Sequence, residues 1–323
     1  QGHGNLPVTS DAQCAGCHIK EGEILFDGSI IGSHTLPLRA QMPGIVGEIL
    51  KVDNGTPGKS PTVTFSLKDK SGNALKPSEM TRLSLILAGP NTDYKTYTSE
   101  SGLAATGAGG VYTYTFTKQI PADAKGSYTI SFEARKDVTL LPGTTKQVTT
   151  RDVAANKQFY FSVDGSDVEP RRKVVSIAKC NACHVDLNFH GNVRNDTQEC
   201  VICHNPTLTA SSQSIEFKTM IHRLHTGAEL DFTYLTFNEV GYPGDRRNCN
   251  ACHIDNSQQL PLDSRLSSVN DPKGYLSPVA PASAACLGCH TSLDAASHAL
   301  ANTSKLGESC ASNSRASQAR RPI

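Results

Sequence analysis

The cysteines and histidines of this chain recur in one spacing. Eleven cysteines are present, and ten of them form five copies of Cys-x-x-Cys-His, in which a histidine directly follows the second cysteine. Chance would supply on the order of 0.01 such motifs in a chain of this length, so the repetition points to one shared chemistry. The five copies are Cys14/Cys17/His18, Cys180/Cys183/His184, Cys200/Cys203/His204, Cys249/Cys252/His253 and Cys286/Cys289/His290.

Paired cysteines can form disulfides, zinc sites, iron–sulfur sites or haem attachments. In haem attachment the two thiols add across the two vinyl groups of one haem, and the adjacent histidine reaches the iron as the proximal ligand. The other three uses explain the cysteine pairs but do not require a histidine after every second cysteine. The sequence therefore predicts five c-type haems, with ten thioether bonds and the five motif histidines on the irons.

Six histidines lie outside the motifs and are candidates for the second axial position of the irons. Any one of them could instead be a surface or structural histidine. Only three methionines are present, however, so thioether ligation cannot serve all five irons, whereas six imidazoles can. Bis-histidine ligation at most or all haems is the sharper hypothesis. The candidates are His3, His34, His190, His222, His225 and His298.

The stretch between His34 and Cys180 has neither cysteine nor histidine, and it shows the alternation of β-strands. Apolar and polar residues alternate with period two in four runs, and Gly, Pro and Asn clusters separate the runs. About seven short antiparallel strands in this length are typical of an immunoglobulin-like sandwich. Its role as a scaffold or as a binding surface stays open. The runs are 63–67, 111–117, 128–135 and 159–163.

The predicted fold is mixed, with an antiparallel sandwich and a multihaem domain of short helices and loops wrapped around haems. Four motifs lie within about 110 residues, which leaves little chain for a conventional core. One helix is predicted with Ser214 as its N-cap and Gly227 as its stop. His222 and His225 project to one side of it and could serve two neighbouring haems. The predicted domains are 1–39 (N-terminal haem segment), 40–168 (sandwich without haem), 169–310 (multihaem domain) and 311–323 (irregular tail).

Net charge and hydropathy narrow the range of functions and locations expected of this protein. The formal net charge is only +1, which predicts no basic face for nucleic acid. No run of eighteen or more apolar residues occurs, so no transmembrane segment is expected. The chain starts at Gln1 without the pattern of a signal peptide, although haem is attached outside the cytoplasm. We therefore expect a processed, mature chain.

Several stretches resemble the pentahaem domain of outer-membrane decahaem cytochromes of the MtrC/OmcA family. They are CNACHVDLNFHGNVRNDTQECVICHNP (180–206), FKTMIHRLHTG (217–227), YPGDRRNCNACH (242–253) and ACLGCH (285–290). The resemblance covers residues 171–310, and the preceding β-rich block fits the family's order of modules. It implies extracellular electron transfer to metal oxides, soluble shuttles or partner cytochromes. It also implies that His190, His222, His225 and His298 occupy distal-ligand positions.

The sequence departs from that family in three ways. The first motif precedes the β-rich block, and the lipidated N-terminal cysteine of surface-anchored members has no counterpart at Gln1. Cys310 resembles the start of a last haem motif, but Asn313 and Ser314 replace its second cysteine and histidine. A sixth haem at Cys310 is therefore unsupported. Six spare histidines for five irons leave one histidine over. It is then a former ligand of the lost sixth haem, a surface residue, or a ligand to a haem of a neighbouring subunit. In the last case His3 is the candidate, and it would build a homo-oligomer or filament.

Two functions compete. An electron carrier needs closely spaced irons with both axial positions filled. A nitrite- or hydroxylamine-converting multihaem enzyme needs one open iron, which a variant motif often marks. Every motif here ends in histidine, which favours a carrier capable of outer-sphere metal reduction and leaves enzyme status uncertain. We expect an extracytoplasmic protein at the cell surface, with the periplasm as the second possibility.

Overall fold

The computed structural model describes residues 19–22, 29–34 and 42–303. The chain divides into two compact units. The smaller holds the described residues up to Gly44 together with Asp137–Asp152, and the larger holds Ile45–Lys136 and the described residues from Val153 onward. The predictions for His3, the first haem motif (Cys14, Cys17 and His18) and Cys310 lie outside the described residues. They stay predictions.

The β-rich part forms two antiparallel sheets. The first has the strand order β1-β2-β6-β5, and the second has the order β4-β3-β7-β8, with β9 also paired to β7. The strands are β1 (Val46–Asp53), β2 (Thr62–Lys68), β3 (Arg82–Gly89), β4 (Thr96–Ser101), β5 (Thr106–Ala108), β6 (Val111–Thr115), β7 (Ser127–Leu140), β8 (Val148–Val153) and β9 (Lys157–Ser162). The four runs located by alternation correspond to β2, β6, β7 and β9.

The inner faces of the two sheets share one apolar core in the larger unit. Phe65 of the first sheet and Phe132 of the second are fully buried, with ring centroids 5.7 Å apart. A Cβ added to Gly47 of β1 would lie 2.0 Å from the Phe132 ring, so this close approach requires glycine. Alternating inward side chains of this kind are the basis of a sandwich. The predicted fold class, a mixed fold with an antiparallel sandwich and short helices, is confirmed.

The remainder of the described chain contains short helices joined by turns. The helices are α1 (Ile30–His34), α2 (Ile177–His184), α3 (Thr197–Cys203), α4 (Phe217–Thr226), α5 (Pro281–Cys286) and α6 (Leu293–Asn302). Two-residue strands β10 (Thr209–Ala210) and β11 (Gln213–Ser214) form a small hairpin before α4, and a short 3-10 helix spans Cys249–Ala251. Helices of this length depend on tertiary packing rather than on propensity. Among the described residues no helix is long and apolar enough to cross a membrane.

The start of α4 differs from the prediction. Ser214 is not the N-cap, because it lies in β11 and its backbone N–H donates to Asp271 Oδ1 at 3.0 Å. Glu216 caps the helix instead, and its carboxylate accepts from the N–H of Thr219 at 2.9 Å. The predicted end is correct, since Gly227 follows the helix with φ +47°.

In the smaller unit, the N–H of Gly44 donates to Asp152 at 2.7 Å, and α1 is a five-residue helix that ends at His34. The predicted domain bounds at 39/40, 168/169 and 310/311 stay predictions.

Candidate haem centre

Four of the five motifs lie in the described part of the chain, and short elements present each of them. Cys180, Cys183 and His184 form the last turn of α2, and Cys200 and Cys203 lie on α3. The motif at Cys249 begins with the 3-10 helix, and the motif at Cys286 begins where α5 ends. A single helical turn brings the two sulfurs of a motif to one side. The local structure therefore suits thioether attachment.

Each of three motif histidines faces a histidine from outside the motifs. The ring centroids are 6.1 Å apart for His184 and His225, 6.2 Å for His204 and His190, and 6.3 Å for His253 and His222. No pair joins two motif histidines. Each pair thus combines one predicted proximal ligand with one predicted distal candidate.

These separations match two imidazoles on opposite sides of one metal ion. Nitrogen–metal bonds of about 2.0–2.1 Å on both sides place the two ring centres roughly 6.3 Å apart. Two imidazoles in direct hydrogen-bond or van der Waals contact have no reason to hold this distance three times. The residues present therefore fit the iron of a haem between each pair.

The Nδ1 atoms show which ring nitrogen is left for a metal. Nδ1 of His204 lies 2.7 Å from the carbonyl of Ile215, and Nδ1 of His225 lies 2.8 Å from the carbonyl of Ile221. Nδ1 of His253 is 3.1 Å from the Ser257 hydroxyl. A carbonyl can only accept, so Nδ1 of His204 and of His225 carries the proton and Nε2 keeps its lone pair. Such outer hydrogen bonds are typical of metal-binding histidines.

Burial favours the neutral form of four of the six paired imidazoles. Burial lowers the pKa of His222 to about 4, and the neighbouring His253 adds to the effect. Burial also lowers the pKa values of His190, His204 and His253. The buried Nδ1 of His222 has no hydrogen-bond partner among the described residues. Neutral imidazole is the form that binds a metal.

Helix α4 brings the motifs together. Its two histidines, three residues apart, face His184 and His253 of two different motifs. Its first residue, Phe217, donates its N–H to the carbonyl of His204 at 2.9 Å. At its end, Thr226 Oγ1 lies 3.3 Å from Cys289 Sγ. All four described motifs therefore contact this one helix or face its side chains.

The motifs at Cys180 and Cys249 are also joined directly. Lys179 donates to the carbonyl of Asn250 at 2.7 Å, and Val175 pairs with His253 in an isolated β-bridge. Burial raises the pKa of the Cys252 thiol, and the nearby Cys183 thiol raises it further. The two predicted attachment sites thus lie side by side.

The remaining predicted ligands stand outside these three pairs. His298 lies exposed on α6, with Asn302 Nδ2 3.3 Å from its Nδ1, and His290 is also exposed. His34, in the smaller unit, directs Nδ1 to the carbonyl of Ile30 at 2.7 Å.

His190 has a left-handed backbone, with φ 54°, which turns its ring toward His204.

Two residues beside the Cys200 motif were not singled out from the sequence. The Tyr97 hydroxyl of β4 hydrogen-bonds with the Cys203 sulfur, and Glu199 is a buried carboxyl next to Cys200. Tyr97 is about a hundred residues away in the chain, so no local pattern indicates it. One feature of the sequence could have indicated Glu199, because it is a charged residue on an otherwise apolar helix face.

Paired imidazoles beside Cys-x-x-Cys-His motifs define a class, the multihaem c-type cytochromes. Residues 172–321 match the family model of outer membrane cytochrome MtrC/MtrF-like, domains II/IV. Over 156 residues, 46% of this chain, the sequence is 30% identical to the multiheme cytochrome MtrC of Shewanella baltica (strain OS185), of which the match covers 21%. The chain thus spans about a fifth of the length of this curated relative.

The fold is also similar to that of a solved structure. The outer membrane decaheme cytochrome OmcA superposes with a TM-score of 0.51 at 20% identity, over 78% of this chain and 44% of that one. MtrC from Shewanella baltica OS185 superposes with a TM-score of 0.47 at 21% identity, over 77% of this chain and 40% of that one. Over residues 172–321 the chain is therefore similar to MtrC/MtrF-like multihaem cytochromes.

Proposed function

We propose that this protein carries electrons outside the cytoplasm through five c-type haems, one at each motif, with histidine on both sides of each iron. The observation that supports this most is the set of three facing imidazole pairs, each made of one motif and one non-motif histidine. An electron carrier needs irons with filled axial positions, and these pairs would fill them at three irons.

The ligand assignment follows from the pairs. His184 and His225 would hold one iron, His204 and His190 a second, and His253 and His222 a third. The ligands for the irons at His18 and His290 would come from the remaining candidates. Those candidates are His3, His34 and His298.

The residues of the site would bind the haems, orient the imidazole ligands and exclude other ligands from the irons. The cysteines would fix each porphyrin covalently, and the Nδ1 hydrogen bonds hold the imidazole rings of His204, His225 and His253 in place. Haem supplies a one-electron Fe(III)/Fe(II) couple when bound. With haems bound, the facing imidazoles would leave no position for nitrite or hydroxylamine at three of the five proposed irons.

Helix α4 would hold neighbouring haems of the proposed carrier close together. Because His222 and His225 are three residues apart, the two irons that they would bind are held close together by one rigid element. The contact between Thr226 and Cys289 brings the last motif to the same helix. Close spacing of this kind is what electron transfer between centres requires.

Location and partners are inferred from the relatives. The matching family model describes outer membrane cytochromes. We place this protein at the cell surface, where partner cytochromes, soluble shuttles and metal oxides would exchange electrons with it. Assembly of copies through a His3 ligand remains part of the proposal.

Electron paramagnetic resonance of the oxidised holoprotein tests the ligation. We expect low-spin ferric signals and little high-spin signal, because two imidazoles give a strong axial field. A stoichiometric high-spin signal, together with turnover of nitrite or hydroxylamine, would instead establish the enzyme.

A further inference from the structure

The motif at Cys200 differs from its neighbours because the sandwich covers it. Helix α3 packs on the outer face of the second sheet, where Ile86 and Ala88 of β3 contact Val201 and Ile202. On β7 the outward residues Thr129, Ser131 and Glu133 are fully buried although they are polar. The sandwich therefore forms a closed wall beside this attachment site.

Glu199 of α3 lies against that wall and is 1% exposed. The Ser131 hydroxyl donates to its Oε2, and Gln158 Nε2 lies 3.3 Å from the same oxygen. Its other oxygen, Oε1, is buried without a hydrogen-bond partner among the described residues. A buried carboxylate with an unsatisfied oxygen and no cation of its own is costly to ionise.

The cations nearby are committed to another carboxylate. Glu133 is fully buried and accepts from Arg82 at 2.6 Å and from Arg194 at 2.7 Å. Burial, together with the negative charge of Glu133, raises the pKa of Glu199 to about 8, against hydrogen bonds from Ser131 and Gln158. Glu199 is therefore poised to exchange a proton near neutral pH, whereas the two arginines pair with Glu133.

We propose that Glu199 is the proton acceptor of the haem site at Cys200 and Cys203, so that its carboxyl gains one proton when this site gains one electron. The inference rests on the proposed function, since it needs a haem at that motif. Glu199 is five residues from the iron ligand His204, and the adjacent Cys200 binds the porphyrin rather than the iron.

The step balances in charge and atoms. One electron arrives from a neighbouring haem, Fe(III) becomes Fe(II), and one proton from solvent converts the Glu199 carboxylate to a carboxylic acid. No bond to iron forms or breaks. The haem site and the buried residues around it together keep their net charge, which is the reason for coupling the two transfers in a region of low dielectric.

The other charged or titratable groups around Glu199 are less suited to this role. Tyr94 is fully buried, and burial raises its pKa further above neutrality. Arginine stays protonated in proteins, and Asp196 accepts the N–H of Gln198 at 2.7 Å as the cap of α3. The groups facing the site are Glu133 on β7, Tyr94 after β3, Tyr97 on β4, Arg82 on β3, Arg194 and Asp196 before α3, and Cys200 and Cys203 on α3.

Redox titration of the holoprotein between pH 6 and pH 9 tests the proposal, with Glu199→Gln as the main variant. In the wild type, one midpoint potential should fall as pH rises, by at most about 59 mV per pH unit, the one-electron value of a tenfold change in proton concentration. Glutamine mimics the protonated acid at every pH. The variant should match the wild type at pH 6, lie above it at pH 9 and have a smaller slope.

Two further variants make the result specific. Ser131→Ala removes a hydrogen bond that favours the carboxylate, so the pH window should move upward while the slope remains. Glu169→Gln removes an exposed carboxylate that pairs with Arg265 at 2.8 Å, and it should leave every slope unchanged. If Glu199→Gln keeps the wild-type slopes, the proposal is wrong.

Infrared difference spectroscopy of the wild type provides an answer that does not depend on a variant folding. Reduction should produce a protonated-carboxyl C=O band, and its absence would overturn the proposal. Peptide mass mapping separates the two levels of inference. A Cys200–Cys203 peptide without haem refutes the proposed function itself, whereas a haem-bearing peptide with pH-independent potentials refutes only the role of Glu199.

Discussion

At the residue scale, the two nitrogens of His225 and of His204 have different roles. Nδ1 makes a hydrogen bond within the protein, and Nε2 is left to bind a metal. Nδ1 of His225 is committed to the Ile221 carbonyl one turn earlier in the same helix, which leaves Nε2 directed at His184. Nδ1 of His204 is held in the same way by the Ile215 carbonyl, opposite His190. The protein backbone thus sets the tautomer before any metal is bound.

Replacing the α4 histidines one at a time should affect two different irons. His222→Ala and His225→Ala should each convert one haem of the oxidised protein to high spin, since each removes one axial ligand. The double variant should convert two. Electron paramagnetic resonance measures the high-spin fraction.

Met220→Leu on the same helix is the matched control, because it conserves volume and removes the one sulfur ligand that α4 could offer. It should leave the spectrum unchanged. The assignment of α4 as a bridge between two irons fails if both histidine variants affect the same haem, or if neither produces high-spin iron.

At the element scale, α4 is anchored by a buried ion pair. Arg223 Nη2 donates to Asp271 Oδ2 at 2.6 Å, and both residues are buried. Asp271 also accepts the N–H of Ser214, and the Arg223 guanidinium lies over the rings of Phe232 and Tyr234. This pair joins the helix to the hairpin before it and to the segment around Asp271.

Asp271→Ala should lower the free energy of unfolding by about 3–5 kcal/mol, because it leaves a buried arginine without its partner. Denaturant unfolding of the holoprotein, followed by circular dichroism, measures the change. Asp263→Ala breaks a more exposed pair with Arg265 and should cost less than about 1 kcal/mol. Equal losses in the two variants would mean that the buried pair does not anchor α4.

Some elements could be predicted from the sequence and others could not, for physical reasons. Strands with one buried face, such as β2, alternate and could be located. In β3 the residues from Leu83 to Gly89 are all buried, because the core covers one face and α3 the other, so the alternation disappears. The start of α4 was predicted two residues too early, because Asp271 holds Ser214 in an extended hairpin through a contact 57 residues away.

The same limit applies to the site. The five motifs and the six spare histidines are local patterns and could be read from the chain. Which spare histidine faces which motif depends on how α4 packs against α2 and the segment at Cys249, and no single sequence encodes that visibly. Tyr97 and the burial of Glu199 likewise arise from packing between distant segments.

At the scale of the whole molecule, the sandwich does more than separate haem motifs. Its second sheet buries polar residues under α3, and Asn156 and Asn195 exchange hydrogen bonds of 2.7–3.0 Å between the end of the sandwich and the haem-motif region. Within the larger unit the two parts therefore share an interface. The second sheet of the sandwich thus lies against one proposed haem attachment site.

The central claim is that each motif carries one haem, and intact-mass spectrometry of the matured protein tests it most directly. The account predicts the mass of the polypeptide plus five haems, with every motif peptide modified at both cysteines. Four or fewer haems in correctly matured protein, or cysteine pairs occupied by zinc or disulfides, would contradict it.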